Sequence, residues 1–187
     1  MIEPGPRSAS GFRRLGERVV HEGHAIRVVV GEFETPDGET VTRDLVRHPG
    51  AVSVVPVDGD EVVLVRQYRP AVEDDVLEIP AGKRDVPGEP PEVTAIRELE
   101  EEVGFTTDSV VPLARFFNSV GFSDEYSHVF LATDLRPVAL DRQGPEEQHM
   151  TLHRRPLAEA VEMCLDGWIT DAKSVAGILA AARRLGV

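Results

Sequence analysis

The sequence predicts an α+β fold, strand-rich first and helical last. Three observations carry this. Pro36-Asp37-Gly38 and Asp58-Gly59-Asp60 are turn signals set between β-branched runs. Pro90-Pro91 and Gly104 bracket one helix in mid-chain, because proline's missing donor is not needed in a first turn and glycine tolerates the left-handed stop. Near the end, Val175, Ile178, Leu179 and Ala182 recur at helical spacing.

Residues 1–14 read as a flexible tail. Strands are predicted over 18–22 and 26–34, with the Pro36-Asp37-Gly38 turn leading into 40–47. Residues 51–57 and 61–68 make a second hairpin, and a short strand over 76–79 delivers the chain to Pro80-Ala81-Gly82. After the helix, 110–117 and 126–132 return as strands around the loop NSVGFSDE, and 150–153 is a last short strand. Helices are predicted over 157–165 and 171–184. Cys164 reads as a small buried apolar residue rather than a nucleophile, and Trp168 as a packing anchor.

The mid-chain helix carries the chemistry. Glu101 and Glu102 lie one turn beyond Glu98, so the three carboxylates should share a face, with Val93, Ile96, Leu99 and Val103 as an apolar stripe opposite. Like charges three and four apart repel, and such a face is ordinarily solvated surface. A hard divalent cation would reverse the sign of that repulsion, since Mg²⁺ prefers carboxylate oxygens together with substrate phosphates. Glu89, at the helix entrance, can pair with Arg97 and brace the loop against the helix.

This segment, GKRDVPGEPPEVTAIRELEEEVGF, resembles the box of the Nudix hydrolases: a glycine, a glutamate, then Arg-Glu-apolar-any-Glu-Glu-any-Gly-apolar. Glu89, Arg97, Glu98, Leu99, Glu101, Glu102, Gly104 and Phe105 fall on that spacing, while Gly82 is one residue further from Glu89 than the pattern has it. The resemblance implies an α/β/α sandwich with a mixed central sheet. It extends, over most of the chain after about residue 14, to the ADP-ribose pyrophosphatase-like branch, whose N-terminal antiparallel sheet serves dimerisation. That implies a dimerisation region over 15–48, a Nudix domain over 49–187, and a homodimer.

The same resemblance assigns roles. Glu98, Glu101 and Glu102, with the Ala81 carbonyl, would hold Mg²⁺, with Mn²⁺ as a substitute. Arg69, Arg66 and Glu78 would lie at the substrate, and Glu89 with Arg97 would be structural. A proton acceptor is expected at Glu125, in a mobile loop, with Asp124, Glu146 and Glu147 as competitors; Glu101 and Glu102 complete the catalytic set. Glu100, about 160° around the helix from Glu98, should stay outside it. His48 is given no role. The implied reaction is hydrolysis of a nucleoside diphosphate sugar, ADP-ribose foremost. Val120 stands where ADP-ribose enzymes carry proline, which keeps other nucleotide sugars open. A triphosphate-cleaning enzyme and a non-catalytic ligand sensor are the alternatives. The first would lack the long N-terminal strands, and the second would append a basic DNA-binding module.

Composition sets the remaining bounds. The net charge of −13 argues against a nucleic-acid partner. The chain is 41% hydrophobic, without an apolar run near the roughly 18 residues of a membrane span, and its first residues lack a signal peptide's apolar core. One cysteine excludes an internal disulfide and fits a cytoplasmic location.

Overall fold

The computed structural model describes residues 5–142 and 144–187, and of residue 146 the backbone alone. The chain divides into two compact units. One contains the chain through Gly50 together with Phe117–Tyr126; the other contains Ala51–Phe116 and Ser127–Val187.

In the first unit, β1 (Arg13–Glu22), β2 (Arg27–Glu34) and β3 (Thr40–Arg47) form an antiparallel sheet in that order. The predicted turn at Gly38 has φ +87°, a conformation that glycine adopts freely. β1 begins at Arg13, earlier than the hydrophobic pattern shows, and charge pairs tie its start to β2. Arg13 reaches Glu34 across the sheet at 2.5 Å, and Arg7 meets the same carboxylate. Gly5 N–H donates to Arg14 O at 2.9 Å, so the segment expected to be a tail is hydrogen-bonded from residue 5 onward. The loop Phe117–Tyr126 runs beside β3: Val46 N–H donates to Phe122 O at 2.8 Å, and Asp124 N–H to Val46 O at 3.2 Å.

The second unit is built on a mixed sheet. Its strands are β4 (Ala51–Asp58), β5 (Glu61–Arg69), β6 (Asp74–Glu78), β7 (Ala81–Lys83), β9 (Val110–Phe117), β10 (Tyr126–Ala132) and β12 (Thr151–Pro156). The main order is β12-β5-β4-β10-β9, with β6 on β5 and β7 on β4. β4 and β10 are parallel, while β5 pairs antiparallel with β12, β4 and β6. β8 (Phe105–Thr106) and β11 (Arg136–Pro137) form a small separate ladder.

Strand periodicity sorts the core into two layers. Val55, Val57, Val62, Leu64, Val129 and Leu131 pack against α3 (Leu157–Leu165) and α4 (Ala172–Leu185). Their neighbours Val52, Val54, Val63, Val65, Phe130 and Ala132 pack against Ala95, Leu99 and Val103 of the mid-chain helix. Helices therefore cover both faces of the sheet, the expected α/β/α arrangement. β4 is buried from Ala51 to Val57, as a strand covered on both sides must be.

Several short elements escaped the hydrophobic pattern: β7, β8, β11 and α2 (Pro145–Gln148). The structure also corrects Trp168, expected as a packing anchor, which is 77% exposed. Cys164 is buried as expected, and burial pushes its thiol up to about 11. Among the described residues, no helix is long and apolar enough to cross a membrane.

Candidate functional site

The mid-chain helix is not the uniform α-helix that the spacing predicts. It is α-helical as α1 (Pro91–Glu98) and continues as a π-helical turn over Leu99–Val103, which Gly104 ends at φ +74°. Its buried side holds Thr94, Ala95, Glu98, Leu99, Glu102 and Val103, two rows at i, i+4 spacing. In an α-helix such rows drift by about 40° per turn. A π turn takes more residues and absorbs the drift. Val93, expected in the apolar stripe, is exposed. Glu98 and Glu102, expected opposite the apolar stripe, are instead on its side, 7% and 3% exposed.

That burial decides the electrostatics. Loss of water pushes the Glu98 carboxyl up to about 7 and Glu102 up to about 8, and the Glu98 charge adds to the rise at Glu102. The Glu147 charge, from α2, raises both. Glu102 Oε2 accepts from Ala81 N–H at 2.9 Å. At Gly82 the Glu98 carboxyl takes the space of a side chain: a Cβ there would stand 2.0 Å from its Cδ.

Arg97 supplies the local positive charge. Its Nη1 meets Glu98 Oε1 at 2.7 Å and Glu101 Oε2 at 3.2 Å, and its Nη2 meets Glu89 Oε2 at 3.5 Å. The expected Glu89–Arg97 brace is thus present, tightened by Thr94 Oγ1 donating to Glu89 at 2.6 Å, which lowers the Glu89 pKa. Glu100 is outside the cluster, accepting from Thr106 Oγ1 at 2.6 Å. Among the described residues, no three acidic, histidine or cysteine side chains form a finished metal cage. Glu98 and Glu101 share Arg97 while Glu102 turns to Ala81. The donors nonetheless suit a hard divalent cation: they are carboxylate oxygens, two of them buried, and burial raises the pKa of both, a penalty that a bound cation would offset.

Beside this cluster, Arg69 ends β5 and holds Glu78 through two bonds of 2.6 Å, from Nε and Nη2. Its charge reaches Glu102 and lowers that carboxyl's pKa against the effect of burial. Arg66 leaves the opposite face of the strand; it is half exposed, with Asp75 at 4.0 Å. Glu78 also binds Lys173 of α4, a residue that pattern reading passed over because a lysine in a first helical turn looks like solvated surface.

In the first unit, Glu125 is in a loop that its hydrogen bonds tie down. Its N–H donates to Ser123 Oγ at 3.1 Å, and its carbonyl accepts from Asn118 N–H at 3.1 Å. His48 Nδ1 is 3.9 Å from Glu125 Oε1 and accepts from Gly50 N–H at 3.0 Å. Asp124 accepts from Arg47 at 3.0 Å and from His48 N–H at 2.9 Å. Glu146 lies outside the described side chains. Val120, 78% exposed, lines a cavity of about 490 Å³ with Phe33, Leu45, Phe117 and Phe122.

Known proteins resemble this chain in sequence and fold. The NUDIX domain profile matches residues 47–176. An ADP-ribose pyrophosphatase of Bacillus subtilis (strain 168) is 36% identical over 167 residues, covering 89% of this chain and 90% of that one. An ADP-ribose pyrophosphatase of Mycobacterium tuberculosis (strain ATCC 25618 / H37Rv) is 39% identical over 170 residues, covering 90% and 82%. The crystal structure of an ADP compounds hydrolase matches with a TM-score of 0.83 at 25% identity over 97% of each chain. A glutamate-bearing helix on a mixed sheet, a profile spanning most of the sequence and relatives aligned along nearly its whole length agree: the chain belongs to the NUDIX domain family.

Proposed function

We propose that the protein hydrolyses the diphosphate bond of a nucleoside diphosphate sugar, with ADP-ribose, cleaved to AMP and ribose 5-phosphate, as its foremost substrate. The observation that carries this is the pair of buried carboxyls, Glu98 and Glu102, with the Arg69 charge acting on Glu102. Both relatives described above are named for ADP-ribose cleavage, which supports the same substrate.

Glu98, Glu101, Glu102 and the Ala81 carbonyl would hold the metal, Mg²⁺ in this reading, with Mn²⁺ able to replace it. Bound there, the ion would polarise phosphoryl oxygens and lower the pKa of coordinated water. The protein's own groups supply the rest. Arg69 offers a planar fork to a phosphate oxygen, with Glu78 behind it. Arg66 and Glu78 remain assigned to the substrate side, Arg66 at its margin. Glu89 with Arg97 holds the loop to the helix.

For the proton acceptor we favour Glu147 over Glu125, on electrostatic grounds. The Glu147 charge acts on both Glu98 and Glu102 within one compact unit, whereas the described contacts of Glu125 are with Ser123, Asn118 and His48. As water attacks phosphorus, its proton passes to a Glu147 carboxylate oxygen while the bridging P–O bond breaks. Val120 leaves the sugar specificity of the first unit's loop to experiment.

A panel of nucleotide sugars and triphosphates with Mg²⁺, read as kcat/KM, tests all of this. ADP-ribose should lead, and Glu102→Gln should abolish turnover. Glu147→Gln should lower kcat about 10²-fold or more with KM little changed, and Glu125→Gln should lose less. The opposite order would return the role to Glu125. Binding of ADP-ribose with no turnover in the panel would make the chain a sensor.

The N-terminal sheet is assigned to a homodimer, supported by the exposed apolar side chains Val19, Val20 and Ile26. Light scattering should give twice the chain mass. The location assigned is the cytoplasm.

A further inference from the structure

Four charged side chains meet at the start of α4. Glu78, 2% exposed, accepts from both Arg69 and Lys173. Lys173 Nζ also pairs with Asp171 at 2.9 Å. Asp171 caps α4, accepting from Ser174 N–H at 2.9 Å and from its hydroxyl at 2.5 Å. Ser174 Oγ in turn accepts from Ile79 N–H at 2.9 Å. The helix start is therefore bolted to the strand end that immediately precedes Ala81 and Gly82.

Nothing in the helix itself calls for Lys173. The Asp171–Ser174 cap is complete without it. A cation in the first turn opposes the helix dipole, and pinning a lysine costs side-chain freedom. Its side chain is nevertheless only 11% exposed and directed at Glu78. Glu78, placed between two cations, holds the Nε and Nη2 edge of Arg69. The guanidinium remains 40% exposed, and its charge is felt at Glu102. A donor already fixed in place loses less freedom when an anion arrives.

We propose that Lys173 is a positioning residue: through Glu78 it fixes the guanidinium of Arg69 so that its open edge meets a substrate phosphate beside Glu102. This rests on the assignment of Arg69 to phosphate in the preceding section. The test is steady-state kinetics on Lys173→Met, Arg69→Ala and the double variant, with Mg²⁺ and ADP-ribose. Lys173→Met should raise KM about tenfold with kcat within about threefold, and Arg69→Ala should raise KM at least as much. In the Arg69→Ala background, Lys173→Met should add less than about twofold, because its route of action is gone. Lys173→Gln, which keeps a donor near Glu78, should follow the same pattern at smaller amplitude and serves if the Met variant does not fold. An undiminished Lys173 effect without Arg69, or a fall in kcat at constant KM, overturns the proposal. An unchanged KM in Arg69→Ala removes the phosphate assignment and this proposal with it, while Glu102→Gln still reports separately on hydrolysis.

Discussion

At Gly82 the chain approaches the Glu98 carboxyl so closely that a methyl group would displace it, since the Cβ would meet Cδ and both oxygens at 2.0–2.3 Å. The obstructing atoms are the end of a flexible side chain, so the fold can yield cheaply while the carboxyl cannot stay in place. Gly82→Ala should therefore lower kcat/KM by at least about 10²-fold while shifting stability by less than about 1 kcal/mol, as seen by activity assay and thermal melt. The glutamates were legible in the sequence as a spacing, but their burial was not. Charged side chains are expected at the surface, and only a purpose such as cation binding makes two buried carboxyls reasonable. Lys173 and Asp171 escaped for a related reason: a lone pair of charges near a helix start is the commonest kind of surface.

Helices and strands were legible where local chemistry is strong. The turns at Gly38 and Gly59 place two hairpins, and the alternation along β4, β5 and β10 matches the two layers that the sheet separates. The π turn was not legible, because one additional residue per turn leaves no mark in composition. Strands of two or three residues such as β7, β8 and β11 are too short to show a period. In α4, Gly177 is what lets the helix lie on the sheet. A Cβ there would stand 3.0 Å from Ile79 Cδ1, Val129 Cγ1 and Val55 Cγ2 at once. Overpacking of this kind costs about 1–3 kcal/mol, against a gain of about 1 kcal/mol in helix propensity. Gly177→Ala should thus lower the melting temperature, and a rise instead would show that α4 can lift without loss.

For the whole molecule, the two buried carboxyls make stability depend on pH in an unusual direction. Glu98 and Glu102 bind protons more tightly folded, at about 7 and 8, than the ordinary value of 4.5. Between those limits the folded state holds more protons than the unfolded one, so stability falls as pH rises. Their contribution is complete below pH 4.5 and lost through pH 7 to 8. With divalent cations chelated, wild type should lose on the order of a few kcal/mol relative to Glu102→Gln between pH 5 and pH 8.5. Parallel denaturation curves for the two proteins across that window would show that Glu102 does not titrate as described.

Residues Phe117–Tyr126 belong with the N-terminal sheet although they are encoded far downstream of it. A fragment begun at Ala51 would keep this loop but lose the bonds from Val46, Arg47 and His48 that shape it. Grafting a foreign sheet onto the amino terminus would fail for the same reason unless a matching loop came with it. Recombination, whether in evolution or at the bench, must therefore exchange two separate stretches of gene as a single cassette.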